Sequence, residues 1–183
     1  MSITTTSNDS ALSAGIWTID PVHSEIGFAV RHLGLSKVRG RFNHFDGTIA
    51  VDENALASSV EAAIDLSSVD TNNADRDAHL KSTDFFDVDA HPQMRFVSTS
   101  VSADHLDGQL TLNGISRPVS LSLEFHGVTV DGYGATRAGF SAAGHIKRSD
   151  FGIDFNMPVG IDGMLIGDKV EIELEIQAVP ASE

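Results

Sequence analysis

The residues of this chain best suited to chemistry are its eight histidines and its many aspartates. A serine, a histidine and an aspartate that meet in space would form a hydrolase triad, which is defined by geometry rather than by order in the sequence. His44 and Asp46 also resemble a metal-binding pair, because side chains two residues apart on a strand share a face. Two ligands do not make a metal site. The residues therefore leave a His/Asp-dependent hydrolase as an alternative and predict no metal.

The specific motifs that accompany enzyme chemistry are absent from the sequence. It contains no glycine-rich phosphate loop, no G-x-S-x-G elbow, no H-E-x-x-H pair and no calcium loop. It also has no cysteine, which excludes disulfide bonds, thiolate nucleophiles and cysteine-ligated metals. We therefore predict a binding protein rather than an enzyme, with no catalytic residues and no cofactor apart from its ligand.

A second group of polar residues is suited to holding the head group of a ligand. Arg76 and His79 share one face of a short helix, and arginine binds a pyrophosphate or carboxylate through two parallel hydrogen bonds. Arg76 could instead pair with Asp70, Asp84 or Asp87 and pin the helix over the sheet. The pin is the favoured interpretation.

Further polar residues each have a functional and a structural interpretation. His32 is predicted to point inward at a strand end, where it contacts a head group or is held by backbone carbonyls. Arg148 lies at the mouth of the protein or serves as another pin, and the pin is favoured. Asp20 and His23 flank Pro21 and are predicted to shape a turn rather than to act in catalysis.

Charge narrows the range of partners. The 183 residues include 26 acidic and 12 basic side chains, a formal net charge of −14, which repels phosphate backbones and anionic membranes. Nucleic acid is therefore not expected as a partner. The first 15 residues lack the basic and apolar segments of a secretory signal, and no apolar run is long enough for stable membrane insertion. We expect a cytoplasmic protein.

The elements that must position these residues are strands, because apolar residues recur with a period of two. Val119, Leu121 and Leu123 alternate with serine and glutamate, and Val170, Ile172 and Leu174 alternate with glutamates. Hairpin turns are predicted at the pairs Asp46-Gly47, Asp107-Gly108, Asn113-Gly114 and Asp131-Gly132. The apolar parity switches between Val38 and Val51, which predicts a bulge near Asn43-His44.

Only residues 72–81 have a helical pattern, with Thr71 or Asn72 as the expected cap. About eight strands with one short helix indicate a sandwich or a closed barrel, and closure is the commoner way to remove exposed strand edges. Residues 1–14 are predicted to form a disordered N-terminal tail, and residues 15–183 a single domain.

Small residues on the inward parity bear on whether such a barrel is open inside. They either leave space for one slender ligand or let a tapering barrel fill with larger neighbours, and the pattern alone leaves both alternatives open. An open lumen would be lined by hydrocarbon and would accept hydrocarbon. The small inward residues are Gly40, Ala62, Ser98, Ala138, Ala142 and Gly144.

Several short motifs, each weak alone, are specific in their order and spacing. They are 17–24 (WTIDPVHS), 26–32 (IGFAVRH), 40–47 (GRFNHFDG), 69–71 (VDT), 76–80 (RDAHL), 84–87 (DFFD), 91–96 (HPQMRF), 108–114 (GQLTLNG) and 148–152 (RSDFG). From about Trp17 to Ala178 the chain resembles the YceI-like, polyisoprenoid-binding family. The resemblance implies an all-β fold, an extended antiparallel eight-stranded lipocalin-like barrel with one short helical segment around an apolar tunnel.

The resemblance also implies a long-chain apolar lipid in the lumen, an isoprenoid or an isoprenoid quinone-like molecule, in a carrier or storage role. A protein-interaction module without a ligand is the other alternative. A flat outer face favours a homodimer. A set of large apolar residues gates the tunnel entrance or plugs the barrel end: Phe85, Phe86, Phe151, Phe155, Met157 and Met164. The predicted ligand-binding residues are Phe28, Val30, His32, Phe42, Arg76, His79, Phe86, Phe96, Phe140, Arg148 and Phe151.

Overall fold

The computed structural model describes residues 11–182, so the predicted tail lies largely outside the described residues. One helix, α1, spans Ala74–Lys81. Thirteen strands account for most of the described chain. They are β1 (Gly15–Ile19), β2 (Glu25–His32), β3 (Ser36–Phe42), β4 (Phe45–Val51), β5 (Ser59–Asp65), β6 (Val69–Asp70), β7 (Gln93–Val101), β8 (His105–Leu112), β9 (Ile115–Val130), β10 (Thr136–Lys147), β11 (Pro158–Val159), β12 (Gly163–Met164) and β13 (Ile166–Pro180).

The strands close into an antiparallel barrel. β1 and β2 lie end to end because both pair with the long strand β13, and the pairs β3/β4 and β5/β6 are broken strands of the same kind. β11 and β12 form a separate two-stranded sheet. Counting each broken pair of the other eleven strands as one gives eight strands, and pairing of β1 with both β4 and β13 closes the ring. The predicted eight-stranded barrel with one short helix is confirmed.

The break between β3 and β4 lies at the predicted position. Both Phe42 and Phe45 turn toward the interior although they are three positions apart, because Asn43 and His44 leave the ladder. Their backbone N–H groups are not lost, since Asn43 donates to the Ser68 carbonyl (3.2 Å) and His44 to the Ser68 Oγ (3.0 Å). The parity switch therefore comes from an interruption of the strand.

Two of the four predicted turns are correct. Asn113 and Gly114 both have positive φ, 54° and 72°, as a two-residue hairpin turn between β8 and β9 requires. Asp131 begins the turn between β9 and β10, where its backbone N–H donates to the carbonyl of Ala135 (2.9 Å). The turn at Asp131 is longer than a two-residue turn, and its positive φ belongs to Gly134 (85°).

The turns predicted at Asp46-Gly47 and Asp107-Gly108 are wrong, because both pairs lie inside strands, in β4 and β8. Glycine is required at these positions because a side chain would clash with a neighbour, and not because the backbone needs a positive φ. A Cβ at Gly47 would lie 2.5 Å from the Ile19 Cδ1, and one at Gly108 would lie 2.3 Å from the Phe96 Cζ. A glycine over which a neighbouring side chain folds has the same sequence signature as a turn glycine.

Helix α1 begins later than predicted. Asn73 is the cap, and its side chain accepts a hydrogen bond from the Arg76 N–H (2.9 Å). The predicted caps, Thr71 and Asn72, are wrong: Asn72 takes the left-handed conformation (φ 61°), and Thr71 is buried beneath the helix. Asparagine tolerates that conformation better than most residues, so the chain turns at Asn72 and caps at the next residue.

The core has two parts. A small cluster of Trp17, Ala138 and Ala178 fills the end of the barrel where the chain termini meet. Trp17 is 2% exposed, and its indole N–H donates to the Ser13 carbonyl (3.0 Å), so Trp17 belongs to the core. The larger cluster runs from the middle of the barrel to the end covered by α1.

Candidate functional site

The interior of the barrel is unevenly filled. Inward leucines of β8 and β9, such as Leu110 and Leu121, are buried. Inward apolar residues on β2, β7 and β13 are only half-buried, although they point into a closed ring of strands. Side chains in a filled interior leave few voids, so inward side chains that are only half-buried indicate an incompletely filled ring. The half-buried inward residues are Ile26, Phe28, Val30, Met94, Phe96, Val170, Ile172 and Leu174.

A row of aromatic rings leads from this wall toward the helical end. The ring centroids of Phe28 and Phe42 lie 5.5 Å apart, and those of Phe42 and Phe86 lie 5.9 Å apart. Phe42 is buried, whereas Phe28 and Phe86 keep part of their surface free. The structure thus brings together three of the predicted ligand-binding residues in an apolar row.

The small inward residues make room for larger neighbours rather than for a ligand. A Cβ at Gly40 would lie 2.4 Å from the Phe28 Cζ, and one at Gly144 would lie 2.7 Å from the Leu121 Cδ2. Ala138 and Ala142 are buried, and the Ser98 Oγ accepts a hydrogen bond from the backbone of Val60 (2.8 Å). Of the two alternatives, filling by larger neighbours applies at these positions.

Arg76 is a pin, but its partner is not an aspartate. Its Nε donates to the Thr71 Oγ1 (2.8 Å) and its Nη2 to the Thr71 carbonyl (2.7 Å). Asp77 completes the contact by accepting from the N–H and hydroxyl of Thr71. The expected pairing with Asp70, Asp84 or Asp87 is wrong, because Thr71 is buried next to the helix start and presents two acceptors.

His79 covers the helical end of the barrel. Its Nε2 is hydrogen-bonded to the Asp84 Oδ2 (2.8 Å), and its ring meets the rings of Phe85 and Phe155 edge-on, each with centroids 5.0 Å apart. The histidine therefore belongs to an aromatic cap formed by α1 and the two loops that follow α1 and β10.

Arg148 is buried and donates to four backbone carbonyls. Its Nε reaches Gly167 (2.9 Å), its Nη1 reaches Ile153 (2.9 Å) and Phe155 (2.8 Å), and its Nη2 reaches Ile166 (3.3 Å). Burial lowers the pKa of the guanidinium, while the nearby carboxylates of Asp168 and Asp154 oppose that shift. These bonds hold both ends of the segment between β10 and β13, as the pin interpretation predicts.

The other predicted ligand-binding residues are more scattered. His32 ends β2, half-buried, and pairs with Ser36 and Ile166. Phe140 packs against the small cluster at the opposite end, with its ring 5.2 Å from that of Phe125. Phe151 is fully buried beside Arg148. Phe96 lies over Gly108 on the wall facing the lumen.

An ion-pair network that sequence reasoning missed joins the strand break after β1 to β10. Asp20 shapes the predicted turn by accepting from the Val22 N–H (2.9 Å), and it also accepts from the Arg137 Nη1 (2.6 Å). Burial alone would raise the pKa of Asp20, but hydrogen bonds from Arg137, His23 and Val22 outweigh burial and lower it from 3.8 to about 2. Asp20 and Arg137 are 117 residues apart, so only the register reveals the pair.

The structure also contains a serine–histidine contact on the outer wall. His126, the extra residue of a bulge in β9, is hydrogen-bonded through Nε2 to the Ser141 Oγ. Its Nδ1 lies 4.0 Å from the Glu124 Oε1, beyond hydrogen-bond distance. Two surface cavities of about 200 and 170 Å³ are lined by other residues. The contact therefore has two parts of a triad on an exposed strand surface.

Two negative findings apply to residues 11–182. Within them, no three histidine, cysteine, aspartate or glutamate side chains are grouped so as to hold a metal ion. In the same part of the chain, no helix combines the length and the apolar character needed to cross a bilayer.

Comparisons with known proteins identify the family to which this barrel is similar. The profile of the YceI-like domain family matches residues 17–178. The chain is 47% identical over 150 residues to a UPF0312 protein of Pectobacterium atrosepticum, covering 79% of this chain and 78% of that protein. It is 47% identical over 136 residues to the protein YceI of Shigella flexneri, covering 72% of this chain and 71% of that one.

Solved structures agree with the fold. The Campylobacter jejuni YCEI protein superimposes with a TM-score of 0.69 at 30% identity, covering 83% of this chain and 90% of that one. A polyisoprenoid binding domain from Saccharophagus degradans superimposes with a TM-score of 0.70 at 14% identity, covering 90% and 98%, and supports the fold alone. On the family profile and these relatives, the chain belongs to the YceI-like domain family.

Proposed function

We propose that this protein binds a long-chain apolar lipid of the isoprenoid class in its barrel lumen and acts as a carrier or store. The observation that carries the proposal is that β2, β7 and β13 turn half-buried apolar side chains into a closed ring of strands. Transfer of hydrocarbon from water to these side chains stabilises a complex by roughly 0.8 kcal/mol per methylene, so a chain of about ten carbons gains about 8 kcal/mol before ordering costs.

The chemistry of the lumen favours a tail over a head group. The half-buried inward residues are phenylalanine, valine, isoleucine, leucine and methionine. Arg76 and Arg148, which were predicted to reach a head group, donate their hydrogen bonds to Thr71 and to backbone carbonyls instead. Affinity would therefore follow chain length. The polyisoprenoid binding domain from Saccharophagus degradans has the same fold, which agrees with an isoprenoid tail as the ligand.

Native mass spectrometry of gently purified protein tests the proposal. We expect a bound mass of several hundred daltons, or uptake of an added isoprenoid alcohol by protein that is first extracted with organic solvent. Protein that is empty as purified and takes up no isoprenoid would contradict the proposal.

A matched pair of variants locates the binding. Ile172→Asn places an unpartnered amide on the inner wall, and Glu173→Gln changes the next residue, which faces outward and is only 3.8 Å from Arg39 in an exposed ion pair. We expect Ile172→Asn to lower isoprenoid occupancy at least tenfold and Glu173→Gln to leave it unchanged. Circular dichroism of both variants checks that the barrel is intact.

One contact favours a second candidate function, ester hydrolysis at Ser141 and His126. It is the weaker candidate, because both side chains lie on the open outer wall and the Glu124 carboxylate is 4.0 Å from the ring nitrogen. An assay with a short-chain ester separates the two. Turnover that disappears in both Ser141→Ala and His126→Ala would support the hydrolase.

A further inference from the structure

Large apolar side chains are exposed together at one end of the barrel. Ile161 is 98% exposed and Leu35 is 79% exposed, in the loops that follow β11 and β2. Exposed apolar groups of this kind mark contact sites when they are adjacent. We call this group the apolar tip; its members are Leu33, Leu35, Met157, Val159, Ile161 and Met164.

The loops that carry the apolar tip form one ordered surface. The Leu33 N–H donates to the Leu165 carbonyl (2.9 Å), and the Leu165 N–H donates to the Met157 carbonyl (2.9 Å). Between Met157 and Leu165 the chain forms a short hairpin of β11 and β12. Arg148 holds the chain just after this hairpin by donating to the Ile166 and Gly167 carbonyls. The tip therefore presents its side chains as a unit.

The apolar tip lies at the end of two strands, β2 and β13, whose inward side chains are half-buried. β2 runs from its half-buried inward residues Phe28 and Val30 into the turn at Leu33, and β13 begins at Ile166, directly after the tip segment. α1 and its aromatic cap are at the same end. A surface bound by the tip would therefore lie against the helical end of the barrel, toward which these strands lead.

Charge is distributed unequally between this end and the rest of the protein. The four connections at this end, residues 31–39, 74–91, 113–117 and 147–169, contain nine lysines and arginines and nine aspartates. Among residues 11–182, those outside these connections contain three basic and fifteen acidic side chains, so the excess negative charge of the described chain lies away from the tip. Lys37 and Arg39, which follow Leu35 in the chain, also lie within ion-pair distance of Glu171 and Glu173 (2.6 and 3.8 Å).

We infer that the apolar tip docks this protein reversibly on a lipid bilayer with zwitterionic headgroups. Exposed apolar side chains at an end with no net charge suit the interface of such a bilayer, where their insertion removes hydrocarbon from water. The acidic remainder points away into solvent. The inference deepens the proposed function, since docking would align the lumen with the bilayer from which a lipid is taken.

Vesicle flotation with phosphatidylcholine vesicles tests the inference. The full chain is compared with Leu35→Ser/Ile161→Ser and with Tyr133→Ser, whose tyrosine is fully exposed in the turn at the opposite end. We expect the double variant to partition at least tenfold more weakly and Tyr133→Ser to stay within twofold of the unmodified protein. An unmodified protein that ignores the vesicles, or a double variant that floats equally well, overturns the inference; the first result favours a protein partner.

The salt dependence of vesicle binding is an independent test of the inference. Because the charge away from the tip is strongly negative, phosphatidylglycerol vesicles at low salt should bind the protein more weakly than phosphatidylcholine vesicles, and added salt should strengthen that binding. A protein that docks through a basic patch has the opposite salt dependence. Binding to phosphatidylglycerol that weakens with added salt overturns the inference.

Uptake of an isoprenoid alcohol without vesicles separates this inference from the proposed function. The double variant should take up the alcohol from dilute ethanol solution within twofold of the unmodified protein, because its changes lie outside the lumen. Uptake without flotation overturns docking and leaves the proposed function intact. Flotation without uptake supports docking and contradicts the proposed function.

Discussion

At the scale of single residues, Arg148 has the largest structural role among the predicted site residues. Its four bonds to carbonyls use the planar fork of the guanidinium, which an ammonium group cannot reproduce. We expect Arg148→Lys to lower the free energy of unfolding by about 2–4 kcal/mol, since buried carbonyls lose their donors. Urea unfolding followed by circular dichroism measures this.

Arg117→Lys is the control for Arg148→Lys. Arg117 is exposed and donates only to the carbonyl of its neighbour Ser116 (3.1 Å) among the described residues. Its replacement should change stability by less than about 0.5 kcal/mol. Equal effects of the two substitutions would show that the bonds of Arg148 are not what stabilises this end of the barrel.

Asp20 makes stability depend on pH in a defined direction. Its folded pKa of about 2 lies below the ordinary 3.8, so its contribution is complete above about pH 4 and is lost as the pH falls toward 2. Asp20→Asn should therefore cost about 1–2 kcal/mol at pH 7. The difference between variant and unmodified protein in urea unfolding should shrink to near zero by about pH 2.

Asp89→Asn, at an exposed position outside this network, is the matched comparison. It should leave the free energy of unfolding within about 0.5 kcal/mol of the unmodified protein at pH 7. A cost of Asp20→Asn that stays constant from pH 7 to pH 2 would mean that the carboxylate of Asp20 is not the stabilising species.

At the scale of elements, the strand glycines decide which walls of the barrel can pack closely. A Cβ at Gly108 would lie 2.3 Å from the Phe96 ring and 2.6 Å from the Val97 carbonyl, so ring and backbone would both have to move. We expect Gly108→Ala to destabilise the protein by about 1–3 kcal/mol, as overpacking does. Thermal unfolding of the purified variant measures this.

Gly132→Ala distinguishes loss of space from a general intolerance of alanine. A Cβ at Gly132 would meet nothing within 4 Å, and the residue does not have positive φ. The substitution should change stability by less than about 0.5 kcal/mol, or stabilise slightly by restricting the unfolded chain. A loss as large as that of Gly108→Ala would refute the close-packing explanation.

At the scale of the whole molecule, a bound lipid should stabilise the barrel by mass action. A ligand present at about 100 times its Kd adds about 2.7 kcal/mol to the free energy of unfolding. For a domain of this size, extraction of the lipid should lower Tm by roughly 5–10 °C. Differential scanning calorimetry before extraction, after it, and with added isoprenoid measures the effect; a Tm that ignores both steps would contradict lumen binding.

Much of the fold follows from local patterns in the chain. Alternation of apolar residues predicts the strands, the switch of parity predicts the break at Asn43-His44, and Asn113-Gly114 predicts a hairpin turn, because each depends on neighbours in sequence. The cytoplasmic location and the homodimer stay predictions, since neither depends on contacts within one chain.

The tertiary structure alone decided the rest. The sequence already placed Phe28, Gly40 and Arg148 at or near the interior. It did not predict that Phe28 covers Gly40 or that Arg148 binds four carbonyls. Likewise the net charge of −14 is a property of composition, whereas the balance of nine basic and nine acidic residues at the end that carries the apolar tip results from folding. Such features depend on strand register, which joins residues far apart in the chain, and no local pattern encodes it.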